Sequence, residues 1–270
     1  MALQISISNA IGSRGVTAAG GYDPDAQAFI TAAAITDPTQ QAAINQLVLD
    51  LKGYSIWTKF KAIYPIVGGS ASSHAVNLKT PGTFNLTFAT GVTHSSNGMV
   101  SNGTTGYANS NLNAFSTLTN NNTHISFYSR SSTITNNQRD LSCFTASDNP
   151  SLTLGTNTGV WISDHYRYNE RISGSITAAT GLYVGTRTTS TNHKLYKNGV
   201  QLGSTDLSTN PQTPPNGNLF ILATNLNPGI AAYSTKQCAF ASIGDGLTDT
   251  EAANFYTAVQ AFQTTLGRQV

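Results

Sequence analysis

The side chains best suited to chemistry are concentrated in the stretch Trp161–Arg171, WISDHYRYNER. It places Trp161, Asp164, His165, Tyr166, Arg167, Tyr168, Asn169 and Glu170 on what reads as one hairpin. Aromatic faces stack on the C–H groups of a sugar, and planar polar groups bond pairs of hydroxyls, so this composition suits a saccharide. The candidate ligand-binding residues are therefore Trp161, Asp164, His165, Tyr166, Arg167, Tyr168 and Asn169. The alternative is that Trp161, Tyr166 and Tyr168 pack in the core or at an interface while the charged tips face solvent. A second patch, Asn97–Asn113, offers Tyr107 among Asn and Ser and reads more simply as a solvated loop region.

Catalysis is not expected. Glycosidic hydrolysis needs two carboxyl groups flanking one bond. The glutamates of the chain are Glu170 and Glu251, and Glu251 is accounted for as a helix cap. A glycan-degrading enzyme would have to rest on Glu170. No serine sits in a G-x-S-x-G elbow. His74, His94, His124, His165 and His193 stand apart in sequence and read as hydrogen-bonded strand or surface residues. Gly20-Gly21 and Gly68-Gly69 lack the lysine of a phosphate cradle. Cys143 and Cys238 read as two buried thiols in strands, with a bridge between them the alternative. Zinc is remote because neither cysteine belongs to a close ligand pair. Calcium, which takes about six to eight oxygens, would have to draw on Asp148, Asn149 and Asp164 without an acidic cluster. No cofactor is expected.

Composition narrows the partners. Charged residues make up 10% of the 270 and the net charge is +2, so the polar surface must be built of Asn, Ser, Thr, Gln and Gly. Lys and Arg form no run, which argues against nucleic acid. No span of about 18 apolar residues occurs, so no membrane insertion is expected, and MALQISISNAIGSRGV lacks the apolar core of a signal peptide.

The elements that must carry these residues change character along the chain. Residues 1–22 read as an extended arm and 23–63 as a helical segment. Asp23-Pro24 and Asp37-Pro38 each pair an N-cap with Pro at the first helical position. Phe29, Ile30 and Ala33 line one helix, and Ile44, Leu47, Val48 and Leu51 the next. A third short helix is expected from Ser55 to Ala62, with Lys52, Lys59 and Lys61 forming an ordinary solvated face. From Ile63 to about Gly244 short β-branched or alternating segments are closed by Gly, Asn or Pro. Asn198-Gly199, inside HKLYKNGVQLGS, is the strongest hairpin signal. Thr248–Glu251 is a capping box, and the helix from 248 to 266 buries Ala252, Phe255, Tyr256, Val259, Phe262 and Leu266. The whole predicts a mainly β, two-sheet sandwich over 64–270 that includes this C-terminal helix.

The hairpin HKLYKNGVQLGS, the strand NLFILATN and the closing CAFASIGDGLTDTEAANFYTAVQAFQTTLG occur in this order. That series resembles the end of concanavalin A-like, laminin-G-like jelly-roll domains. Residues 23–270 are similar to bacteriophage virion proteins carrying this domain, through DPDAQAFITAAAI, IWTKFKAIYPIVGGSASSHAVNLK and the SIGDGLTDTEAANFYTAVQAFQTTLGRQV block. The resemblance implies a tail- or capsid-associated structural protein, assembled in the host cytoplasm, with a lectin-like sandwich for host-surface or glycan adhesion. Its expected partners are other virion proteins and sister subunits, a trimer being the guess. The alternative is a decoration or stabilising protein without a ligand.

Overall fold

The computed structural model describes residues 21–145, 151–166, 171–207 and 213–270. The helices are α1 (Pro24–Ala32), α2 (Pro38–Gly53), α3 (Ala71–His74), α4 (Ala114–Thr117) and α5 (Asp249–Thr265). The strands begin with β1 (Phe60–Tyr64), β2 (Thr87–Phe88), β3 (Val92–Ser95), β4 (Gly98–Ser101), β5 (Ala108–Asn113) and β6 (Thr123–Ser129). They continue as β7 (Gln138–Phe144), β8 (Ser151–Asn157), β9 (Val160–His165), β10 (Ile172–Ser175), β11 (Gly181–Thr189) and β12 (Asn192–Lys197). The last are β13 (Val200–Gln201), β14 (Asn218–Ile221), β15 (Thr224–Asn225), β16 (Ile230–Ala231) and β17 (Cys238–Gly244).

The strands form two sheets. One runs β13-β12-β11-β6-β17-β4-β3, with β1 also on β17; the other runs β10-β9-β8-β7-β14-β5-β2, with β15 also on β7 and β16 on β15. Pairing is antiparallel except for the short β15–β7 contact. The first sheet is backed by helices. Along β6, β11 and β17 every second side chain enters the space between the sheets, as with Phe127, Tyr183 and Ala241. The alternate side chains, Tyr128, Leu182, Val184 and Phe240, meet Phe29, Leu47, Leu51, Phe255 and Phe262 of the helices. This sheet is buried on both faces, and the molecule has three layers. The fold is therefore the expected mainly β sandwich with N-terminal and C-terminal helices.

Local signals act as the sequence suggests. Asp23 and Asp37 accept from the backbone N–H groups of Asp25 and Gln40. Thr248 and Glu251 form the capping box, and Gly267, at φ 65°, closes α5 in the left-handed region. Asn198 and Gly199, both at positive φ, turn β12 into β13. The third helix is a correction: only Trp57–Lys59 is helical, as a single 3₁₀ turn, and Phe60–Tyr64 is a strand. Phe60 and Ile63 face the helices whereas Ala62 and Tyr64 face the second sheet, a period that pairing with β17 imposes. The boundary expected between 63 and 64 thus falls inside β1. Lys52 and Lys59 are not merely solvated, since they pair with Asp23 at 2.7 Å and Glu251 at 2.6 Å.

Two polar anchors hold the layers. Arg268, 2% exposed, spends its guanidinium on uncharged acceptors: Gln263 Oε1 and the carbonyls of Ile66, Ser96, Pro65 and Ala239. Burial pulls its pKa down to about 9. The other anchor bridges the sheets. A register slip between Arg139 and Leu141 makes Asp140 the extra residue of a bulge, and Lys236, just before β17, reaches its Oδ1 at 3.3 Å. The ammonium also bonds Thr156 Oγ1 at 2.8 Å and Gln138 Oε1 at 3.1 Å, and it lies 5.4 Å from the Trp161 ring centroid.

Replacing Arg268 with Ala removes the guanidinium from the buried carbonyls of Pro65 and Ile66, and we expect a loss of about 3–5 kcal/mol in urea unfolding. A loss below about 1 kcal/mol would show that water replaces the guanidinium. Asp140→Ala leaves the Lys236 ammonium unpaired and should cost about 3–5 kcal/mol, whereas an Asp140→Leu/Lys236→Met double variant should recover most of it. If the double variant is as unstable as the single one, the pair contributes through shape and not charge.

Candidate functional site

Strand β9 divides the residues that the sequence brings together. Trp161, Ser163 and His165 alternate inward, whereas Ile162 and Asp164 alternate outward. Trp161 is fully buried and stacks on Tyr183 with ring centroids 3.4 Å apart. Tyr166 is fully buried too, its hydroxyl against Thr123 Oγ1. The exposed aromatic platform expected of Trp161 and Tyr166 is thus corrected to core packing. Their ring areas are worth more between the sheets than in water. Trp161→Ala would be a core truncation, not a test of binding. His165 is 1% exposed and faces the interior. Arg167, Tyr168, Asn169 and Glu170 lie outside the described residues.

Asp164 faces the outward side of the second sheet, and the pairing register extends a row from it. Asp164 stands opposite Thr153, Thr153 opposite Ser142, Ser142 opposite Phe220, Phe220 opposite Asn109, and Asn109 opposite Thr87. Directly paired residues share a face, so six strands contribute one line of side chains spanning roughly 24 Å at the usual strand spacing. At the Asp164 end Arg171 closes the line, with Nε and Nη2 each 2.8 Å from the carboxylate oxygens. This bidentate geometry fixes both planes. Hydroxyls continue the polar chain. Ser151 lies 3.2 Å from Asp164 Oδ2 and 3.0 Å from Thr153 Oγ1, which is 2.7 Å from Ser142 Oγ. At mid-row the half-buried Tyr107 ring stacks on Phe220 at 4.5 Å and 17°. A pocket of about 220 Å³ lies at the Asp164 end; Ser142, Thr153 and Asp164 line it but are buried, and Asn137, Arg139, Phe144 and Arg171 present its accessible part.

This arrangement combines an aromatic face, a clamped carboxylate–guanidinium pair and aligned hydroxyls. Asp164 is the one residue of the sequence-based set that the described face contains. Tyr107 was assigned to a solvated loop, and Ser142, Thr153, Phe220 and Arg171 carried no motif. Their signal is cross-strand register, which a single sequence does not contain.

The inward side of β9 meets a catalytic test. Ser163 Oγ lies 3.1 Å from His193 Nε2, and His193 Nδ1 lies 3.7 Å from Asp206 Oδ2, the order of a nucleophile, base and acid. Ser163 and His193 have no exposed surface, and Gly185 packs against the hydroxyl with no room for a Cβ. A hydroxyl sealed between two sheets meets no substrate. The histidines are not isolated in space, as their sequence spacing suggested. His74 and His94 join Nδ1 to Nδ1 at 2.9 Å, and the His165 and His193 rings are 4.6 Å apart. Cys143 and Cys238 are free buried thiols, and burial pushes Cys143 up to about 12. Of the residues considered for calcium, Asp164 is engaged by Arg171, while Asp148 and Asn149 lie outside the described residues. Among the described residues no three His, Cys, Asp or Glu converge on a point that would hold a metal.

No protein-family model matches the sequence, and no protein of curated function does. Solved structures do match. A structure of botulinum neurotoxin type C, described as depending on two ganglioside molecules to enter cells, aligns over 76% of this chain and 52% of its own, with TM-score 0.54 and 12% identity. The binding domain of botulinum neurotoxin DC, in complex with rat synaptotagmin II, aligns over the same shares, with TM-score 0.51 and 12% identity. Trypanosoma rangeli sialidase, in complex with a difluorinated nononic acid, aligns over 80% of this chain and 39% of its own, with TM-score 0.50 and 12% identity. The chain spans about half the length of the neurotoxin chains and less of the sialidase. At such identities the likeness is one of fold: a two-sheet β-sandwich.

Proposed function

We propose that this chain is a bacteriophage virion component that displays its sandwich for adhesion to a cell-surface glycan, bound along the outward face of the second sheet. The observation that carries the binding site is the in-register row from Asp164 to Thr87, with the Tyr107–Phe220 stack at its centre and the Asp164–Arg171 pair at its end. Sugar rings lie on aromatic faces, and their hydroxyls exchange hydrogen bonds with fixed planar groups. The ganglioside dependence of a neurotoxin of like fold supports a saccharide ligand. The virion setting is supported by the sequence resemblance over residues 23–270. In that setting the helical layer docks to the particle or to sister subunits. Its solvent side favours packing, because the exposed residues Ala42, Gln46 and Leu49 of α2 and Ala253, Thr257 and Ala261 of α5 are small or uncharged.

The test is a glycan array probed with purified protein, followed by affinities for the strongest array hit. Tyr107→Ala should weaken that hit about tenfold, the worth of one aromatic–sugar face, without moving the unfolding midpoint. Arg171→Lys, which keeps the charge but loses the fork, should weaken it further. A blank array would favour the decoration protein without a ligand. Hits unaffected by both variants would move the site elsewhere.

A further inference from the structure

The strand that holds Asp164 outward also carries Ser163 and His165 inward, into a polar seam between the sheets. Ser163 Oγ sits 3.2 Å from His165 Nδ1 and 3.1 Å from His193 Nε2. One hydroxyl proton serves two ring nitrogens, so Ser163 donates to one histidine, which must be neutral to accept, and accepts an N–H from the other. His165 Nε2 has no hydrogen-bond partner, and the nearest acid to His193 Nδ1 is Asp206, at 3.7 Å.

The charges facing this pair come from every element around it. Arg187 of β11, with no exposed surface, donates to the Ser190 carbonyl and to Asp206. Asp206 follows β13 and Asp164 lies on the reverse side of β9. His124 of β6 adds a further ring, bonded to Ser242 and the Asp245 carbonyl. Arg187 and Asp206 already balance, and Asp164 is committed to Arg171. A proton added to His193 meets Asp206, a carboxylate already shared with Arg187, whereas one added to His165 meets the opposing charges of His193 and Arg187. A second proton places two charged, buried rings 4.6 Å apart.

We propose that the seam is an acid-operated latch: proton uptake by His165 and His193 parts β9 from β12 and loosens the Asp164–Arg171 end of the outward face. Its use in releasing a glycan rests on the reading above, whereas the latch itself does not. Burial depresses both histidines, joined at His165 by the neighbouring His193 and Arg187; at His193 Asp206 opposes the shift. The sign follows: the closed state refuses protons that the open state accepts near an ordinary value of about 6.5. Closure is therefore fully favoured above that pH and lost as pH falls below it. Between pH 7 and pH 5 opening gains roughly 25-fold from His165, and His193 adds less because Asp206 opposes its shift.

Amide hydrogen exchange of the free protein, corrected for intrinsic rates, reads this without any glycan. Residues 160–165 and 192–197 should lose protection between pH 7 and pH 5 by one to two orders of magnitude more than 125–128 and 238–244. The His165→Gln/His193→Gln variant should show no such selective loss. Equal protection at both pH values would overturn the latch, as would uniform loss across both sheets. Should the variant not fold, the wild-type pattern alone decides. A blank glycan array would leave this result standing, so the two readings fail separately.

Discussion

A sheet buried on both faces is the constraint from which the rest of the architecture follows. Phe127 and Tyr128 point in opposite directions and both are fully buried, because helices cover one face and the second sheet covers the other. The helical segment contributes to this cover through α1 and α2, and α5 completes it. The outward face of the second sheet is reached by solvent toward Asn109 and Thr87, whereas Asp164, Thr153 and Ser142 at its other end are buried, with at most 2% exposure. It is also the face on which the hydroxyls, the Asp164–Arg171 pair and the Tyr107 ring are assembled.

A core of this thickness places polar side chains where water does not reach, and the chain satisfies them by bridging layers. Arg268 ties the end of α5 to backbone carbonyls from three regions, and Lys236 with Asp140 crosses between the sheets. Such groups contribute little if paired, since desolvation offsets the attraction, but their loss is costly. They specify how the layers are registered more than how tightly they cohere. The Ser163–His165–His193 seam obeys the same logic with titratable groups, which makes its satisfaction conditional on protonation.

Much of this fold was legible in the sequence because it rests on local chemistry. Asp-Pro starts, the Thr248–Glu251 box, the Asn198-Gly199 turn and the strand rhythm each depend on a few neighbouring residues. The helix expected at Ser55–Ala62 was not, because pairing with β17 overrode a helical spacing of Trp57, Phe60 and Tyr64. The candidate site was legible only in part. Asp164 was found because it lies in the aromatic, polar stretch Trp161–Arg171. Trp161 and Tyr166 were left between a ligand face and the core because composition does not say which way an alternating strand points. Ser142, Thr153, Phe220 and Arg171 become a site only through register between strands distant in sequence. The histidine pairs were hidden for the same reason.

The central claim is that the outward face of the second sheet receives a saccharide. Amide and side-chain chemical-shift mapping with the strongest array glycan locates the contact directly. Perturbations concentrated at Tyr107, Asn109, Ser142, Thr153, Arg171 and Phe220 are the predicted result. Perturbations confined to the helical layer or to the β3–β4 edge would contradict it.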